Sequence, residues 1–110
     1  MIKDRTLDDY KRAGAWMRLL KAVLGKTYIE CSKVMRVGEY ESRFDSVIRK
    51  VDNVCSRAED NMFRDFPEIS NQHVAVFYGT PDGKYRSDVD KEQTDLMIKL
   101  VKDLFKDNWE

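Results

Sequence analysis

The feature that most restricts this chain is a run of apolar and small residues at Phe44, Ile48, Val51, Cys55, Ala58 and Met62. The steps between them alternate four and three, which is a heptad seam. Tyr40, Val47 and Val54 flank the seam and widen it to the face of a bundle helix. The spacing predicts a helix over 39–66, stopped by Pro67.

Such a face needs a partner, and the preceding segment supplies one. Tyr10, Ala13, Met17, Leu20, Leu24, Thr27, Cys31 and Val34 recur every three or four residues, and Trp16, Leu19 and Val23 add a second stripe. Thr6 suits the N-cap, with Asp8 and Asp9 in the first turn, where acids complement the helix dipole. The pattern predicts a helix over 7–36, continuous through Gly25 or bent there. Gly14 and Gly25 are its weak points, each costing about 1 kcal/mol relative to alanine.

Between the two helices, Gly38 suits the left-handed position that follows a helix C-terminus. Lys33 and Arg36 precede it and Glu39 and Glu41 follow it, so both helix ends are complemented. The expectation is an αα-hairpin. Pairing about Val37 and Gly38 sets Cys31 near Phe44, Leu24 near Val51, Leu20 near Cys55, Met17 near Ala58 and Ala13 near Met62. The two cysteines then lie roughly 16 Å apart along the hairpin. A disulfide needs Cα atoms within about 7 Å, so none is expected.

The chain has 110 residues, the size of one domain, and its two Pro and five Gly favour few long elements. His73–Tyr78 is rich in β-formers, Thr80–Gly83 reads as a turn and Lys84–Ser87 as a return strand. A small β-hairpin over 73–87 is therefore expected. A last helix is expected over 88–107, with a capping box from Asp90 to Gln93 or a cap at Asp88. Its apolar residues, Leu96, Met97, Ile98, Leu100, Val101, Leu104, Phe105 and Trp109, cover roughly 220° of the circumference. Docking into the groove between the first two helices would use much of that surface. The remainder would cover the β-hairpin or face another chain. The fold class expected is all-α: one domain over 1–110, built from a long antiparallel helical hairpin, a small β-hairpin and a third C-terminal helix.

Chemistry-bearing patterns are scarce. With one His and two widely separated Cys, the chain lacks the roughly four Cys/His ligands of a zinc site. It has no Glu-x-x-His pair, and the acids of 82–92 are not in calcium-loop order. Gly79–Lys84 has the wrong spacing for a phosphate loop, and Pro81 removes an N–H that a phosphate cradle would use. No nucleophile–base constellation can be built from His73, Cys31 and Cys55. No cofactor, metal or catalytic residue is assigned.

Net charge is zero, with no apolar run near the ~20 residues of a membrane span. The charged N-terminus lacks the apolar core of a signal peptide. A cytoplasmic protein with reduced thiols and no membrane partner is expected. The neutrality hides an asymmetry. Residues 1–36 carry nine Lys/Arg against four Asp/Glu, and 37–70 carry five against eight. Lys11, Arg18, Lys21, Lys33 and Arg36 share the helical face opposite the apolar stripe, with Lys26 at its edge. Such a row can follow phosphates or an acidic partner.

Three functional classes follow. The first is a non-catalytic protein-binding or adaptor domain that associates with another protein or with itself, as a dimer. Its expected interface is Met97, Val101, Phe105 and Trp109. The second is a nucleic-acid-associated protein using the basic face of the first helix. The third is a small enzyme of unrecognised type.

Overall fold

The computed structural model describes residues 5–79 and 84–106, the side chain of Phe105 excepted. It is mainly helical: α1 spans Leu7–Cys31, α2 Val37–Asp65 and α3 Asp88–Lys106, with a 3₁₀ helix at Asn71–Val76. No helix among the described residues is long and apolar enough to cross a membrane.

The capping box at the start of α1 is complete. Thr6 Oγ1 accepts from the Asp9 amide at 3.1 Å, and the Asp9 carboxylate accepts from the Thr6 amide at 2.9 Å. α1 runs unbroken through Gly25, then ends at Cys31, five residues earlier than the periodicity suggests. Ser32 is the C-cap: its hydroxyl donates to the Ile29 carbonyl at 2.6 Å, and the chain turns through 33–35. Gly38 is not the turn residue. It lies in the first turn of α2, which starts at Val37 with Arg36 as N-cap.

α1 and α2 form the expected antiparallel hairpin, close to the expected register. Leu24, Ile48 and Val51 line one small cavity. Near the turn, Tyr28 meets Tyr40 and Phe44 edge-on, with ring centroids 5.2 Å and 5.6 Å apart. At the other end, Tyr10 stacks edge-on against Phe66 and donates its hydroxyl to Asp65. At that end Met62 is fully buried in a core with Tyr10, Val76, Phe77 and Val89, while Ala13 is exposed.

The β-hairpin is absent; there is no strand among the described residues. Three successive carbonyls of the segment expected as the first strand accept from side chains instead. The Ala75 carbonyl accepts from Arg18, the Val76 carbonyl from Gln93 and the Phe77 carbonyl from Lys21, at 3.1, 2.9 and 3.0 Å. Those backbone acceptors are thus satisfied without a partner strand. The expected turn at Thr80–Gly83 lies outside the described residues.

α3 packs against α1 and the 3₁₀ helix, not in the groove between α1 and α2. Ala15 of α1 is fully buried with Met97 and Leu100 of α3, and Leu19 and Leu96 pack at the margin. Gly14 permits the approach. A Cβ there would sit 2.2 Å from the Val76 carbonyl oxygen. The α3 cap is Ser87, whose hydroxyl accepts from the Asp90 amide at 3.1 Å. Asp90 and Gln93, expected to form a capping box, are buried and used elsewhere.

Candidate functional site

The six cations expected on one face of the first helix divide into two sets. Arg18 is 2% exposed, and its guanidinium reaches Asp90 Oδ1 and Thr94 Oγ1, both at 3.0 Å. Lys11 pairs with Glu92 at 3.0 Å. Lys21 is half-buried and lies over the Tyr78 ring, 4.1 Å from its centroid. These three hold α3 and the 3₁₀ helix onto α1. Lys26, Lys33 and Arg36 remain exposed, with Lys33 paired to Glu30 at 3.0 Å.

The residues expected to form an interface on α3 also divide. Met97 is buried against Ala15, and Val101 is half-buried. The Phe105 side chain and Trp109 lie outside what the structure describes. Among the described side chains of α3, Ile98 and Leu104 are the exposed large apolar ones.

Lys21 also contributes to a polar group midway along the seam. Burial pushes the Cys55 thiol up from its ordinary range, and the Lys21 charge draws it back. Burial likewise raises the Glu59 carboxyl, with the neighbouring Asp60 adding to the shift and Lys21 opposing it. Glu59 Oε2 is buried without a hydrogen-bond partner. Cys55 itself is fully buried, which shields its thiol from reagents in the folded state.

Among the described residues, a broader exposed apolar surface lies on the side of the hairpin that faces away from α3. At about 100° per residue, Gly14, Arg18 and Lys11 fall on one side of the α1 seam, toward α3, and Trp16, Leu20 and Val23 on the other. On α2, Phe63 and Ser56 fall on the covered side; Phe63 packs into the core, and Ser56 meets the Tyr78 hydroxyl at 3.3 Å. Val47 and Val54 fall on the opposite side. In an antiparallel pair, the two uncovered sides form one surface. Leu20, Val23, Val47 and Val54 are 42–57% exposed on it, and Trp16 is 36% exposed.

The surface is concave at its base. Ala13 and Ala58 are too small to fill the space between the helices. They line a groove of about 390 Å³ with Arg5, Asp9, Tyr10 and Asn61.

One edge of this surface is basic. Arg43, Lys50, Arg57 and Arg64 recur at seven-residue intervals and are all exposed. Glu41, Asp45, Asp52 and Glu59 occupy the other edge of α2. Regional charge counting misses this segregation, because it averages the two edges into one mildly acidic segment. The heptad spacing of the four cations was the available signal. No protein-family model, characterised protein or solved structure matches this chain.

Proposed function

We propose that this chain is a non-catalytic protein-binding domain whose docking face is the uncovered side of the α1–α2 hairpin. The observation that carries the reading is the co-facial exposure of Trp16, Leu20, Val23, Val47 and Val54 above a groove lined by Ala13 and Ala58. Contiguous apolar surface of this kind marks association sites, whereas isolated surface valines do not. The intramolecular pairing of Lys11, Arg18 and Lys21 weighs against a phosphate-tracking face on α1.

The test is site-specific photo-cross-linking in the cell of origin. A photoreactive residue at Val54 is expected to give one discrete protein adduct, lost when Leu20→Glu is added. The same residue at Asp45, on the opposite edge, is expected to give none. Equal adducts from both positions, or none from Val54, would remove the reading. α3 offers a smaller second surface in Ile98 and Leu104. Self-association through it predicts a dimer in light scattering that Ile98→Glu dissociates.

A further inference from the structure

We infer that the occupant of the hairpin's uncovered face is an amphipathic helix of another protein, with an apolar seam and an acidic flank. This rests on the docking face proposed above and adds the chemistry of what it takes.

Two features of the face fit a helix. The exposed valines, Val47 and Val54, are one heptad apart, and the exposed α1 residues Trp16, Leu20 and Val23 follow steps of four and three. A helix lying along the hairpin presents side chains at the same intervals. The groove between Ala13 and Ala58 gives its larger side chains a place to seat.

The acidic flank follows from the row Arg43, Lys50, Arg57 and Arg64. Successive members stand about 10 Å apart along α2. They lie about 50° further from the seam than the valines at 100° per residue, the position of flanking charges in a helical pair. Lys50 and Arg57 have no ion-pair partner among the described residues, Arg43 donates only to the Glu39 carbonyl of its own helix, and Arg64 pairs only with its neighbour Asp65. Carboxylates at heptad spacing on the partner would meet all four.

Other occupants fit less well. A phosphate backbone would match the cations but leave Leu20 and Val54 facing polar groups. A membrane-surface face carries cations on both flanks of its apolar strip. Here the α1 edge carries Asp9, Arg12 and Glu30, mixed in sign. A second copy docked with α2 antiparallel to its own counterpart would bring the two basic rows together.

The experiment selects binders to the intact chain from a displayed library of three-heptad helices. Each library member carries one apolar seam, with its flanking positions randomised among Glu, Gln and Lys. On the wild-type chain, Glu is expected over Lys at one flank by about tenfold, and the preference should shrink as salt rises. On the Lys50→Glu/Arg57→Glu variant the preference should invert, because both substitutions are exposed and leave the seam intact. Selection of neutral or basic flanks on the wild-type chain would overturn the acidic partner while leaving the docking face standing. Equal recovery of helices on the wild type and on a folded Leu20→Glu/Val54→Glu variant would overturn the face itself. The acidic-helix occupant would also be overturned by a stable dimer that Leu20→Glu dissociates, by co-sedimentation with phosphatidylserine vesicles that Val54→Glu abolishes, or by DNA binding that Arg57→Glu abolishes.

Discussion

The guanidinium of Arg18 and the carboxylate of Asp90 meet at 3.0 Å inside the protein, with side chains 1% and 4% exposed. Each is bound beyond the pair. Arg18 also donates to Thr94 and the Ala75 carbonyl, and Asp90 accepts from the Arg86 amide at 3.0 Å. Gly79 lies against the guanidinium, where a Cβ would come within 2.6 Å of Nη2. One arginine thus ties α1 to α3 and to the segment between α2 and α3.

Breaking this pair from one side leaves an uncompensated buried charge. Arg18→Met or Asp90→Leu alone is expected to destabilise by about 3–5 kcal/mol, and the double replacement by much less. Urea denaturation of the three variants checks this through their midpoints. A double variant as unstable as the two singles combined would contradict it.

The two mid-helix glycines of α1 should respond oppositely to alanine. At Gly14 the new methyl meets the Val76 backbone, so Gly14→Ala is expected to lose about 1–3 kcal/mol or more. At Gly25 nothing lies within 4 Å, so Gly25→Ala is expected to gain up to about 1 kcal/mol of helix propensity. Thermal unfolding of both variants should show shifts of opposite sign.

Two carboxyls should impose opposite pH dependences. The Tyr10 hydroxyl, and then the Arg5 charge, hold Asp65 below its ordinary range. Its contribution is present above the unfolded-state value near 3.8 and is lost as pH falls through the lower folded-state value. Burial holds Glu59 above its ordinary value of 4.5, so its contribution is complete below that value and is lost as pH rises through the folded-state value. Asp65→Asn should therefore flatten the acid limb of stability against pH. Glu59→Gln should raise stability near neutrality relative to wild type. Denaturation midpoints from pH 3 to 8 measure both effects.

The thiols should separate by rate. Cys31 is partly exposed, whereas Cys55 is fully buried with its thiol pushed up by burial. A thiolate-selective reagent is expected to label Cys31 in the native protein, and Cys55 only as denaturant opens the α1–α2 seam. Equal native rates at the two cysteines would contradict this placement.

The helical hairpin was legible because its pattern is local and repeated. Leu24 against Val51 follows from periodicity plus one turn, whereas the Tyr28 ring meets Phe44 where the register placed Cys31. The side on which α3 docks was not legible. On a wheel, Arg18 is a cation opposite an apolar stripe, and its burial depends on Asp90 and Thr94, more than seventy residues away. The same long-range partners explain the missing β-hairpin: Arg18, Lys21 and Gln93 take its carbonyls, and β-propensity carries no information about side chains arriving from other helices. The docking face was half legible. The exposed stripe Trp16, Leu20 and Val23 reads from the sequence as core, and only the docking of α3 on the other side of α1 leaves it open.

The linear pattern therefore sufficed for three helices, an antiparallel pairing and an approximate register, because helix periodicity and hairpin closure act over short separations. The tertiary structure decided which face of that pairing was covered. A buried Arg–Asp pair and a glycine-sized gap at Gly14 drew α3 and the 3₁₀ helix to one side of α1. They made cations that look solvent-exposed in the sequence structural, and left apolar residues that look like core facing outward.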